Sequence, residues 1–241
     1  MAGYREYRAP VGLEPLVACL WESEPVVGKT TRVIPDGCVD LVWLGSEPGL
    51  VVAGPDTGPW IAEADDPAET SCAIRLRPGA AGAVLGLPAA ELRDARVGID
   101  LVWGAAGRDL TEALQAADPA QRLRVLTETV LQRRAAPDPL AVAAARRLAE
   151  PDAKVSAAAA DLGISERQLN RRLQHAVGYG PKMLARVARL RRLIAQPGDD
   201  PLATRAFTAG YASQAHMNDE VRRLTGLTPL QFLKDATLTA A

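Results

Sequence analysis

The chain has 241 residues, 48% of them apolar, which is enough for one large or two ordinary domains with real cores. It has no run of about 18 uninterrupted apolar residues, and the start MAGYREYRAP lacks the basic-then-apolar layout of a signal peptide. A membrane span and a secreted product are therefore not expected, and a soluble cytoplasmic protein is the default. The net charge of −1 conceals an asymmetry: residues 138–235 hold 15 Lys and Arg against 10 Asp and Glu, and the remainder carries an acidic excess of 6. A basic C-terminal half behind an acidic N-terminal half suggests a nucleic-acid module joined to something else.

Residues 1–80 are punctuated by Gly and Pro and carry short β-branched runs. Segments 26–34, 38–44, 49–53 and 72–76 are strand candidates, and Pro35-Asp36-Gly37 and Gly54-Pro55-Asp56 carry turn chemistry. Segment 13–21 reads as a strand or a short helix. The expectation is a mainly antiparallel β domain with a few helices. Short helices are expected at 78–85, from Pro88 to residue 92, and at 101–114. Residues 119–134 are amphipathic, with Leu123, Leu126, Val130 and Leu131 on one face. That helix either connects domains or pairs with a second copy of itself. A Pro-rich linker, 135–139, follows. The expected division is 1–118 for a β-rich sensor or dimerisation domain, 119–137 for helix and linker, and 138–241 for a DNA-binding domain.

From residue 140 the pattern is helical throughout, so the whole is α+β. Val155, Ala159 and Leu162 share one face of a short helix, and Gly163 can end it with a positive φ. Ile164 can plug the angle between two helices. Ser165 is a good N-cap, and Glu166 lies at the positive end of the next helix. Leu169, Leu173 and Val177 line the core side of that helix. Arg167, Asn170, Arg171 and Gln174 fall at i, i+3, i+4 and i+7 on the opposite side. Arg can fork onto guanine and Asn can pair with adenine, so the segment reads as a helix-turn-helix with a reading face. Taken alone, the stripe is equally a solvated helix face. Residues 181–196 form a long helix with Met183, Leu184, Val187, Leu190 and Ile194 inward, stopped at Pro197-Gly198.

The pattern then recurs. Ser165 and Ser213, Leu169 and Met217, Leu173 and Val221, Gly178 and Gly226, and Pro181 and Pro229 are each 48 residues apart. Cap, core and helix-stop positions repeat in role, which chance rarely gives. Two such units on one bridging helix, with reading helices about 34 Å apart, allow one chain to enter two successive major grooves of double-stranded DNA.

Residues 138–235 resemble the DNA-binding domain of the AraC/XylS family of bacterial transcription regulators. The likeness rests on LGISERQLNRRLQHAVGYGPKMLARVARLRRL and AGYASQAHMNDEVRRLTGLTPLQFL. IPDGCVDLVW followed by VAGPDTGP resembles an N-terminal domain found in some family members. The resemblance implies a sequence-specific transcriptional regulator and places Arg167, Asn170 and Arg171 at base-contacting positions. Ser165, Arg172 and Gln174 are candidate phosphate partners. In the second unit Gln214, His216 and Asn218 are the candidate readers, although His216 also reads as a cap-turn residue. Asp219 departs from the family pattern, and a carboxylate there repels phosphate unless it accepts from cytosine. Arg186, Arg189, Arg191 and Arg192 of the bridging helix are candidates for phosphate or for internal ion pairs.

In the N-terminal half, Asp36, Cys38, Asp40 and Trp43 are candidate ligand residues, and Trp21, Trp60 and Trp103 are further candidates to line a pocket. Ordinary turn chemistry and core packing explain the same residues. Cys19, Cys38 and Cys72 are odd in number and widely spaced, which argues against disulfides. No CxxC occurs and both histidines lie in the other half, so neither a metal nor a cofactor is expected. The leading expectation is a regulator, not an enzyme, controlled by a small-molecule effector or by homodimerisation, with a possible contact to RNA polymerase. The alternatives are a DNA-tethered, thiol-dependent enzyme or sensor using Cys38, and a ligand-free regulator whose N-terminal domain only dimerises.

Overall fold

The computed structural model describes residues 3–24, 30–45, 49–63, 70–196, 200–234 and 238–239. Strands β1 (Arg5–Arg8), β2 (Val17–Ser23), β3 (Thr30–Val33), β4 (Val39–Trp43), β5 (Leu50–Ala53), β6 (Trp60–Glu63), β7 (Ser71–Leu76) and β8 (Arg96–Gly98) come first. One antiparallel sheet has the order β1-β2-β7-β4-β5-β8. A second sheet pairs β3 with β6 and adds β9 (Leu238–Thr239), parallel to β3. The α+β expectation holds, with an antiparallel β region followed by a helical region.

Side-chain alternation decides what the large sheet buries. Val39, Leu41 and Trp43 of β4 point into the main core beside Leu50 and Val52 of β5 and Cys72, Ile74 and Leu76 of β7. Val42, Val51 and Ala73 lie on the other face with Trp21. The register of β2 shifts between Val17 and Cys19, so Val17 and Leu20 both reach the core while Trp21 turns away.

Helices α1 (Ala81–Leu85), α2 (Ile99–Trp103), α3 (Ala105–Ala116) and α4 (Pro119–Arg133) follow. The single helix expected at 101–114 is broken at Gly104, whose φ is 59°. The helix expected from Pro88 is one 3-10 turn, Ala89–Leu92. Leu126 and Val130 of α4 are fully buried in the main core, and Leu123 and Leu131 pack against it. Each such side chain contributes about 1.5–3 kcal/mol. The apolar face offered for self-pairing is thus already taken by the sheet. Beyond its first turn, what α4 exposes is polar and includes the Arg124–Glu128 ion pair.

The helical half contains α5 (Pro139–Ala149), α6 (Val155–Asp161), α7 (Glu166–Val177), α8 (Pro181–Ala195), α9 (Leu202–Thr208), α10 (Gln214–Thr225) and α11 (Pro229–Lys234). It has two cores. Leu148, Leu169, Leu173, Val177, Leu184 and Val187 form one. Leu190, Leu193, Met217, Val221, Leu224 and Phe232 form the other. The bridging helix α8 supplies both, which ties the two units together. Ile34, far back in the N-terminal half, is buried in the second of these cores. The expected stop at Pro197-Gly198, and residues 26–29 of the first strand candidate, lie outside the described residues.

Candidate nucleic-acid interface

Helix α7 begins with a reciprocal cap. The hydroxyl of Ser165 accepts from Gln168 N–H at 3.3 Å, and Gln168 Oε1 accepts from Ser165 N–H at 2.9 Å. At the other end Gly178 stops the helix with φ 93°. Leu169, Leu173, Ala176 and Val177 are buried, which turns the opposite side outward. Arg167, Arg171 and Gln174 are exposed along that side, and Asn170 is half-buried between them. Arg167 and Arg171 make no ion pair or hydrogen bond among the described residues. Two unpaired guanidiniums on one helix face are free to fork onto base edges or phosphates. Ser165 is engaged in its own cap, so its hydroxyl reaches phosphate only if the capping box opens.

Arg172 is turned aside. Its Nη1 donates to Asp138 Oδ2 at 2.6 Å. Asp138 is also the N-cap of α5, accepting from the N–H groups of Leu140 and Ala141 at 3.0 and 3.3 Å. Burial raises the Asp138 carboxyl, but the Arg172 hydrogen bond and the backbone donors together hold it below the ordinary value. A lowered carboxylate stabilises the fold above its unfolded value of about 3.9 and loses that contribution as pH falls further. Asp138→Ala should cost about 1 kcal/mol in urea unfolding at pH 7. The gap from wild type should close below about pH 4; a pH-independent gap would remove the charge from the explanation.

Helix α10 repeats the architecture with different chemistry. The Ser213 hydroxyl accepts from His216 N–H at 3.1 Å, and His216 Nδ1 accepts from Ala212 N–H at 3.2 Å. His216 Nε2 lies 3.2 Å from Glu220, and its ring stands edge-on to Tyr211. This places His216 in the turn and cap. The Asn218 side-chain oxygen is buried with no hydrogen-bond partner among the described residues. Gln214, Ala215 and Asp219 are exposed.

The residue that sequence reasoning missed is Glu220. Its side chain is 9% exposed and receives both Arg189 Nη2 at 2.9 Å and Nε at 3.1 Å. Arg186 Nε stands 3.3 Å away. Two of the four α8 arginines, candidates for phosphate or for internal ion pairs, are therefore internal. Arg192 is a third, donating to the carbonyls of Ala149 and Ala209. Arg191 remains exposed. A signal was available: Glu220 stands 48 residues after Arg172, so the repeat inverts charge at one buried-facing position.

The N-terminal candidates divide. Asp40 accepts from Arg75 Nε and Nη2 at 3.0 Å each and from Trp21 Nε1 at 2.9 Å. Asp36 accepts from Cys38 N–H at 2.8 Å, with its other oxygen 3.8 Å from Arg75. Burial, partly offset by Arg75, raises the Asp36 carboxyl. Trp43 is separated from this group: it is an odd number of residues from Asp40 on β4 and points into the opposite, apolar core. Trp21 and Trp43 therefore line no common pocket. A cavity of about 190 Å³ is found elsewhere, walled by Leu148, Glu150, Lys154, Arg189 and Arg192 of the helical half. All three thiols are held protonated at neutral pH. Burial, then Asp36, pushes Cys38 far up, while burial lifts Cys19 to about 11 and Cys72 to about 12. A raised pKa disfavours the thiolate at each of them.

Residues 158–235 match the model of a helix-turn-helix domain, and residues 5–98 match a domain of unknown function (DUF6597). The chain is similar to a probable bifunctional transcriptional activator/DNA repair enzyme AlkA from two strains of Mycobacterium tuberculosis. Identity is 43% over 77 residues, covering 31% of this chain and 16% of each relative. The chain thus spans about a sixth of the length of the curated relatives it matches. Among solved structures it is similar to apo ToxT from Vibrio cholerae strain SCE256, at 12% identity over 89% of this chain and 96% of that one, with a TM-score of 0.48. ToxT from strain O395 gives 9% identity over 100% of this chain and 96% of that one, with a TM-score of 0.40.

Proposed function

We infer that the chain is a DNA-binding transcriptional regulator of the AraC/XylS type, and that its two helix-turn-helix units read DNA unequally, with α7 carrying the specificity. The observation behind this is the contrast at repeat-equivalent positions. Where α7 presents Arg167 and Arg171, exposed and unpaired, α10 presents Ala215 and Asp219. Arg167, Asn170, Arg171 and Gln174 form the main reading face, and Gln214 is the reader of the second helix. Phosphate contacts from Arg191, Arg222 and Arg223, all exposed, fix register without reading sequence.

Selection of bound sequences from random DNA with the purified protein tests this directly. The expected product is a bipartite site, two motifs about one helical turn apart, the first more constrained than the second. A product with no enriched motif would overturn the reading. Asp219→Arg should tighten binding and steepen its log–log salt dependence by about 1, the value of one added phosphate contact. Unchanged affinity and slope would place Asp219 away from the duplex.

The N-terminal domain is the regulatory partner in this reading. One observation favours a small polar effector over pure dimerisation: Arg75 Nη1 is buried beside Asp36 and Asp40 without a hydrogen-bond partner among the described residues. The raised thiols favour a regulator over a thiol enzyme.

A further inference from the structure

The repeat pairs Gly178 with Gly226, and these are the left-handed C-caps of α7 and α10. One loop of the N-terminal domain, Gly54-Pro55-Asp56-Thr57-Gly58-Pro59, covers both. A methyl group built on Gly178 would stand 2.5 Å from Pro55 Cγ and 3.0 Å from the Ala89 carbonyl oxygen. One built on Gly226 would stand 3.6 Å from Pro59 Cγ and 3.5 Å from Arg32 Nη1. Each helix end also receives an arginine from the N-terminal domain. Arg93 Nη1 donates to the Gly178 carbonyl at 3.5 Å, and Arg32 Nη1 donates to the Thr225 carbonyl at 2.9 Å. A cation at a helix C-terminus meets the negative end of the dipole. A proline against the capping glycine and an arginine on a last-turn carbonyl are thus found at both helix ends; the glycines are repeat-equivalent, and the arginine acceptors, Gly178 and Thr225, differ by one position.

The loop itself is braced. Asp56 takes both Nη atoms of Arg96, at 2.8 and 2.7 Å. Thr57 donates to Asp94 from its N–H at 2.6 Å, and Asp94 N–H returns to the Pro55 carbonyl at 3.2 Å. Gly54 packs so closely on the Leu92 carbonyl that a side chain has no room. Two prolines limit the backbone further. Pro55 and Pro59 are four residues apart, so their Cα atoms are at most about 15 Å apart. Ile34 adds a wedge in the second core.

Given the two-unit DNA reading above, we propose that the Gly54–Pro59 loop, with Arg32 and Arg93, is a spacer gauge. It sets the distance and angle between α7 and α10, and hence the separation of the two motifs the chain accepts. These are positioning residues, acting on DNA only through the helices they hold.

The test uses the full chain and two variants: Arg32→Ala with Pro59→Ala, which frees the α10 end, and a two-glycine insertion between Thr57 and Gly58. Nitroxide labels at the exposed, repeat-equivalent positions His175 and Arg223, each changed to Cys in a Cys19→Ser background, report the helix separation without DNA. Wild type should give one narrow distance, and both variants a broadened or shifted one. Duplexes carrying the selected motifs at varied spacings give the second readout. Wild-type affinity should fall roughly 10-fold or more when two base pairs are added, since this rotates one motif by about 70° around the duplex. The variants should flatten that profile while keeping wild-type affinity for a duplex with the first motif alone. A distance distribution unchanged in both variants, or a uniform loss at every spacing, would overturn the gauge. Failure of wild type to select a bipartite site would instead overturn the two-unit reading, and the label distances would still judge the loop.

Discussion

Truncating Arg167 and Arg171 together to alanine should weaken binding to the selected site by about 100- to 1,000-fold, with the melting temperature unchanged. Each well-formed arginine contact to a base edge contributes about 1–3 kcal/mol of discrimination. Two of them reach that range even when one is only half effective, since 1.4 kcal/mol is a factor of ten. Stability should not move, because both side chains are exposed and hold nothing else in place. Gln214→Ala on α10 should cost less than 10-fold, since it removes one neutral contact from a helix that also presents Asp219. Fluorescence anisotropy at fixed salt measures both variants against wild type. A double variant that binds like wild type, or a larger loss at Gln214, would move the specificity away from α7.

Glu220→Ala should destabilise the protein by about 3 kcal/mol, the usual cost of removing one partner from a buried charge cluster. The alanine leaves Arg186, Arg189 and the His216 Nε2 facing one another with no acceptor between them. The loss should be local first. Amide exchange in α10 should accelerate more than in α7, whose core contains none of these groups. Binding should change in kind as well: contact with the first motif persists while the contribution of the second motif disappears. Glu220→Gln, which keeps an acceptor but not the charge, should fall between. Denaturant midpoints and exchange rates settle the matter, and a midpoint within experimental error of wild type would show that the cluster is held by packing alone.

Much of the DNA-binding half was legible because its determinants are local. Ser165, Gly178 and the 48-residue echo are cap and stop signals that act within one helical turn, and the structure uses them as caps and stops. Glu220 was illegible for the converse reason. Its partners lie 31 and 34 residues back on another helix, and only the packing of α10 on α8 makes a glutamate at that position internal. In the N-terminal half, β4 and β7 were readable from β-branched runs. Strand β1, Arg-Glu-Tyr-Arg, was not, because it is an exposed edge held by its pairing with β2. Trp43 shows how an odd spacing matters in a strand: grouped with Asp40 by proximity in sequence, it is three residues on and lies on the other face of the sheet.

Ile34 makes the reading module borrow part of its interior. Its side chain is 3% exposed among Leu190, Leu193 and Phe232, yet it belongs to a chain segment more than a hundred residues upstream of that module. A fragment cut at the Pro-rich linker and expressed alone would carry an open hollow where Ile34 sat, with greasy walls facing water. Such a fragment is a different object from the same residues in the intact chain. Its looser second unit should then accept a wider range of half-site arrangements than the intact chain, and a binding consensus taken from it should be more permissive.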